Sequence, residues 1–175
     1  MNNRQIAIGL FALLAGSLVY LADRPPQATW FVQAFPFSVS LHSYLGGFLG
    51  PLGRYLPAFV HVFALALVTG GFLGGGMVRR LSACLFWLAT DLAFEFGQKF
   101  PEQATSLVPD WFSHIPFLDQ TSRYFINGSY HPLDVLATVL GALAAYGVLL
   151  ITEKPLFSKN PNTVNPKQDK QEGWT

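Results

Sequence analysis

Charged residues are scarce in this chain. They make up 12% of its 175 residues, against about 25% in an ordinary soluble domain, while hydrophobic residues reach 51%. The net charge of +1 argues against the broad basic surface with which proteins bind nucleic acid. Because most of the few charges lie between or beyond long apolar blocks, the composition indicates an integral membrane protein.

Cysteine is almost absent as well. Cys84 is the single cysteine, which excludes an intrachain disulfide framework and a cysteine-based metal site. His61 is the single histidine within the apolar blocks, and one imidazole among scattered acids is also a weak indication of a metal site. We therefore expect no metal and no cofactor.

The apolar residues form four blocks, and each is long enough to cross about 30 Å of hydrocarbon. The predicted spans are residues 6–22, 56–73, 81–100 and 133–151. A cleaved signal peptide is the alternative for the first block, since Arg4 precedes it. The sequence thus predicts an all-α integral membrane bundle of four transmembrane helices, within a transmembrane domain at residues 1–152.

Two segments depart from this pattern. Residues 24–55 are rich in aromatic residues, glycine and proline, which predicts an irregular, interfacial or re-entrant outer segment. Residues 153–175 are rich in Lys, Asn, Pro and Gln, which predicts a solvated and disordered cytoplasmic tail.

The basic residues predict the orientation. With the N-terminus in the cytoplasm, the inner loops and tail carry seven Lys or Arg residues and the outer loops carry four. The adjacent Arg79 and Arg80 in a short loop weigh most under the positive-inside rule. We expect both termini in the cytoplasm, and a bacterial inner membrane as the location.

The third apolar block contains a polar face. Asp91, Glu95 and Gln98 fall within a stripe of roughly 60° on one side of a helix. An ionisable side chain is costly in hydrocarbon, so this stripe must face a polar interior. Asp134 at the start of the fourth span and His61 in the second should lie near the same outer surface, with Arg54, Lys99 and Arg123 close by.

A second stripe consists of small residues on the fourth span: Asp134, Thr138, Gly141 and Ala145. Small side chains allow a neighbouring helix to approach closely. The stripe predicts tight packing, and we expect the third span to be its partner.

These residues resemble a known family. Glu95-Phe96-Gly97-Gln98 at a helix end, Arg123 in the next loop, and Asp134-Val135-Leu136-Ala137-Thr138-Val139-Leu140-Gly141 resemble the E-x-x-Q, loop arginine and D-L-x-x-N-x-x-G motifs of VanZ-like membrane proteins. His61 resembles the histidine of that family's K-x-x-H motif. The resemblance covers about residues 54–147 and implies a small envelope membrane protein with an outward-facing polar pocket.

Several functions stay open at this point. The leading hypothesis is a pocket that binds an envelope lipid or glycan-lipid headgroup through Asp91, Glu95, Gln98, Asp134, His61 and Arg123. The alternatives are an accessory subunit that packs on a membrane-protein partner, and a membrane enzyme that acts on such a lipid. An ion pathway is disfavoured because few polar residues continue through the inner half.

Overall fold

The structure is a computed structural model that describes residues 1–25, 42–116 and 118–153. Every regular element in these ranges is helical, as the sequence predicts. The long helices are α1 (Asn3–Asp23), α3 (Pro51–Leu73), α4 (Met77–Lys99) and α7 (Pro132–Ile151), and the short ones are α2 (His42–Leu45), α5 (Pro101–Ser106) and α6 (Thr121–Asn127). Two 3-10 turns, Asp110–His114 and Leu118–Gln120, lie between α5 and α6.

Three of the long helices, α1, α3 and α7, are long and apolar enough to cross a membrane. The outward side of α1 exposes Leu10, Phe11, Leu14 and Leu18, a continuous apolar surface that a soluble monomer rarely presents. The length and composition of these helices are therefore consistent with an integral membrane protein.

Helix α4 covers the third predicted span, 81–100, except for its last residue, and it is as long as α3, at 23 residues. It is not among the helices apolar enough to span by composition alone. The reason is its charge, because Arg79, Arg80, Asp91, Glu95 and Lys99 all lie on it.

Helix α3 begins earlier than the sequence predicts. Its first residue is Pro51, a favoured residue type for a first turn, and Pro57 lies inside the helix. The irregular segment predicted for residues 24–55 is thus wrong for its last five residues, which are helical. Residues 26–41 of that segment lie outside the described residues, and so does the predicted tail from residue 154 onward.

Helix α3 is the centre of the bundle and packs against α1, α4 and α7. Glycines allow the closest approaches: Gly9 and Gly16 of α1 lie against Ala64 and Val60 of α3, and Gly141 of α7 lies against the Phe59 carbonyl. The small-residue stripe of α7 therefore meets α3 at its tightest point. This differs from the expected partner, the third span, because the stripe indicates close packing without indicating which helix supplies the other surface.

The long helices alternate in direction, so the described chain begins and ends at one end of the bundle. Asn2 Nδ2 donates to the Thr152 carbonyl at 2.9 Å, and Gln5 Nε2 donates to Thr152 Oγ1 at 2.9 Å. Arg80, which is buried, pairs with Glu153. We call this the terminal end, and the opposite end, where Asp23, Gly53 and Gln98 lie, the cavity end.

A short glycine turn joins α3 to α4 at the terminal end. Gly74 and Gly76 adopt φ values of 76° and 118°, which are strained for residues with a side chain. The turn holds α3 and α4 antiparallel, so that His61 on the former and Asp91 on the latter come to the same level.

Candidate functional site

The cavity end contains a cavity of about 700 Å³. It lies between α1 and α4, with α3 also contributing to its wall. Its volume is within the range of pockets that hold small organic ligands. The lining residues are Leu13, Gly16, Ser17, Tyr20, Arg24, Arg54, Pro57, Ala58, His61, Trp87, Thr90, Asp91, Phe94, Glu95, Gln98, Tyr124, Asn127, Gly128, Ser129 and Asp134.

The polar face of α4 forms one wall. Asp91, Glu95 and Gln98 all line the cavity, because their spacing keeps them on one side of the helix. Asp134 joins them from the first turn of α7. Three carboxyl groups and an amide therefore line one cavity, where they can accept hydrogen bonds from hydroxyl or ammonium groups.

His61 and Asp91 form the innermost polar pair of the cavity. Nδ1 of His61 lies 2.9 Å and 3.0 Å from the two carboxylate oxygens of Asp91. The Asp91 side chain is 12% exposed, whereas the His61 side chain is 51% exposed. The carboxylate therefore fixes the orientation of an imidazole that stays accessible.

Glu95 differs from Asp91 because one oxygen of its carboxyl group is buried without a hydrogen-bond partner in the described part of the chain. Its Oε2 atom is buried and accepts no hydrogen bond within residues 1–25, 42–116 and 118–153. A buried polar atom without a partner costs about 1–3 kcal/mol. Such an atom at the wall of a cavity is where a ligand donor would be most stabilising.

Two arginines add positive charge beside the acids. Arg24 and Arg54 line the cavity from the end of α1 and the start of α3. Arg24 also lies over the ring of Tyr20, with Cζ 4.6 Å from the ring centroid. In the part of the chain that the structure describes, neither guanidinium forms an ion pair with a carboxylate. Both can receive an anionic group.

Helix α6 covers the cavity end. Gly97 of α4 lies directly against the ring of Phe125, so any larger residue at 97 would overlap it. This packing brings Tyr124, Asn127 and Ser129 to the cavity. Partial burial, and after it the nearby Glu95 carboxylate, raises the pKa of the Tyr124 phenol, which therefore remains a hydrogen-bond donor.

The cavity gathers five of the six residues that the sequence singles out: His61, Asp91, Glu95, Gln98 and Asp134. Arg123 does not line it. This arginine is exposed on α6 and donates to Gln120 Oε1 at 3.4 Å, because Tyr124 and Asn127 occupy the face of α6 that meets the cavity.

Sequence reasoning missed Arg24, Tyr20 and the α6 residues. Tyr20 and Arg24 continue the face of α1 that holds Leu13 and Ser17, at helical spacing. Polar residues at the end of this face are therefore a sequence signal that could have identified them. For Tyr124, Asn127 and Ser129 no such signal exists, since their place depends on how α6 docks. No group of three metal-ligating side chains occurs among the described residues.

Neither protein-family models nor curated proteins nor solved structures give a match to this chain. The VanZ-like resemblance therefore stays a prediction from its motif residues.

Proposed function

We propose that this chain is a small VanZ-like integral membrane protein that binds the polar headgroup of an envelope lipid or glycan lipid. The observation that carries the proposal is a cavity of about 700 Å³ lined by Glu95, a residue whose buried Oε2 atom has no partner among the described residues. Four polar residues of the VanZ-like resemblance, His61, Glu95, Gln98 and Asp134, share this one cavity. Their convergence supports the family assignment.

In this proposal α4 also spans the membrane, which brings the number of spans to four. Its 23 residues reach about 34 Å at 1.5 Å per residue, and it packs against both α3 and α7. Its acids face the cavity and not the lipid, which removes the main cost of carrying them across a bilayer. Arg79 and Arg80 support a cytoplasmic location for the terminal end under the positive-inside rule, and a bacterial inner membrane is the setting that we propose.

The lining favours a headgroup that carries hydroxyl groups. Carboxylates and the Gln98 and Asn127 amides accept hydrogen bonds from hydroxyls, and the rings of Tyr20, Trp87 and Tyr124 line the same cavity. Arg24 and Arg54 can bind a phosphate or another anionic group of the ligand. A sugar or glycerol headgroup linked to phosphate satisfies both sets of residues.

Lipid mass spectrometry on the purified protein tests the proposal. We expect one lipid class to be enriched over its share of the host membrane, and to be lost in Glu95→Gln. Glu102→Gln is the matched control, because Glu102 is an exposed glutamate on α5 that does not line the cavity. Bulk lipid alone in both proteins would contradict the proposal. A protein partner retained at fixed stoichiometry, without a specific lipid, would favour the accessory-subunit alternative.

The His61–Asp91 pair supports a second candidate, an enzyme that acts on the bound lipid. An imidazole oriented by a carboxylate and still accessible is the arrangement of a general base. Under this candidate, Asp91→Asn and His61→Asn abolish turnover of a labelled lipid in nanodiscs while the lipid still co-purifies. If no labelled lipid from the host membrane is converted by the wild-type protein, the binding function stands without catalysis.

A further inference from the structure

Helices α1 and α4 both pack along α3, yet they have no extensive contact with each other. Leu13 and Ser17 line the cavity from α1, and Trp87, Thr90 and Phe94 line it from α4. These five residues define a gap between the two helices, which we call the α1–α4 slot.

With α1 crossing the bilayer, as its length and composition allow, the slot lies within the membrane. Helix α1 is one of the helices apolar enough to cross a bilayer. Leu13 is eleven positions before Arg24, which places it about 16 Å deeper along the helix axis. What surrounds a gap at this depth is hydrocarbon, not water.

The walls of the cavity lose their charged side chains along this axis. On α4 the order from the cavity end is Gln98, Glu95, Phe94, Asp91, Thr90 and Trp87. On α1 the order is Arg24, Tyr20, Ser17 and Leu13. A ligand that fits both walls has a polar or anionic group at the cavity end and an apolar chain towards the slot.

We infer that the ligand is a bilayer lipid whose hydrocarbon chain lies in the α1–α4 slot while its headgroup occupies the cavity. The lipid reaches the site sideways from the membrane, so it never leaves the bilayer. This inference rests on the proposed headgroup-binding function and adds the route and the class of the ligand. The carboxylates then meet the headgroup without exposure of the hydrocarbon chain to water.

Fluorescence of Trp87 tests the slot directly. Trp87 lines the cavity and is fixed by a hydrogen bond from Nε1 to Thr69 Oγ1 at 2.9 Å. In a protein with Trp30, Trp111 and Trp174 replaced by Phe, Trp87 is the only tryptophan. The protein is reconstituted in vesicles of phosphatidylglycerol with dibrominated chains, since bromine quenches a tryptophan that it touches.

We expect strong quenching in this protein and at least a twofold smaller effect when Ser17→Phe and Thr90→Phe fill the slot. Leu18→Phe and Ala89→Phe are the matched controls, because these neighbours are exposed and do not line the cavity. They should leave the quenching unchanged. Each slot substitution is also made singly, and near-wild-type thermal unfolding shows that the fold is kept.

Equal quenching in the slot-filled and control proteins would overturn the inference, because the chain would then not lie in the slot. If a Glu95-dependent lipid class is still retained in that case, the headgroup site stands and its ligand arrives from the aqueous side. If instead the quenching depends on the slot but no lipid class depends on Glu95, the slot assignment stands and the headgroup site is overturned. The two failures are thus distinguishable.

Discussion

The polar side chains at the two ends of the bundle have different surroundings. At the terminal end, Asn2 and Gln5 donate to Thr152 and to the Leu149 carbonyl, and Arg80 pairs with Glu153. At the cavity end, polar groups surround a space of about 700 Å³. Glu95 Oε2 has no partner there among the described residues. Arg80 Nε at the terminal end also lacks a hydrogen-bond partner among the described residues, but Arg80 does not line the cavity. The difference is that the unpartnered group at the cavity end belongs to a residue beside a space that a ligand can enter.

Packing follows the same division. The buried cluster of Ala66, Leu67, Cys84, Ala145 and Leu149 lies towards the terminal end, where α3, α4 and α7 meet through small side chains. Helices α1 and α4 have no extensive contact with each other, and both line the cavity. A closely packed half of the bundle can fix the backbone of the other half, where Glu95 Oε2 lacks a hydrogen-bond partner among the described residues. This is the usual relation between a scaffold and its functional site.

The largest effect on stability should come from the packed contacts. Gly141→Leu forces a side chain against the Phe59 carbonyl of α3, and backbone cannot move aside cheaply. We expect a loss of about 3 kcal/mol in the free energy of unfolding, the upper part of the range for overpacking. Gly147→Leu is the control on the same helix, since a Cβ there meets nothing within 4 Å. Equal losses in both variants, measured by unfolding in detergent, would contradict the assigned packing of α7.

A smaller and pH-dependent loss should follow Glu153→Gln at the terminal end, because Arg80 then remains buried without its partner. The hydrogen bond from Arg80 lowers the pKa of Glu153. The pair therefore stabilises the fold fully above the ordinary glutamate pKa of about 4.3, and this contribution disappears as the pH falls through the lowered pKa. Thermal unfolding of both proteins should differ at pH 7 and converge in acid. A difference that grows in acid would show that the sign is wrong.

The smallest effect on stability, with the opposite sign, is expected at the cavity end. Glu95→Gln replaces a carboxyl group whose buried Oε2 has no partner in the described ranges. We expect the free energy of unfolding in ligand-free detergent to stay unchanged or to rise by up to about 1 kcal/mol. A clear destabilisation would mean that Glu95 holds the bundle together, as an interhelical contact does.

The sequence could predict what depends on local periodicity. The 100° step per residue places Asp91, Glu95 and Gln98 on one face, and the cost of charge in hydrocarbon turns that face inward. The antiparallel order of the helices brings Asp134 and His61 to the same end. All five line one cavity in the structure.

The remainder depends on long-range docking, which periodicity does not encode. The stripe containing Gly141 indicates a close neighbour, but only the fold shows that its tightest contact is with α3. The VanZ-like resemblance and its positive charge single out Arg123, whereas the phase of α6 presents Tyr124 to the cavity instead. That phase follows from the contact between Gly97 and Phe125, two residues far apart in the chain.

Native mass spectrometry of the intact protein is the most direct test of the claim that the cavity holds a lipid headgroup. Released gently from detergent, the wild-type protein should carry a single lipid adduct of defined mass, and Glu102→Gln should carry it equally. Glu95→Gln should lose that adduct while keeping its fold. Equal occupancy of the adduct in all three proteins, or its absence from the wild type, would contradict the claim.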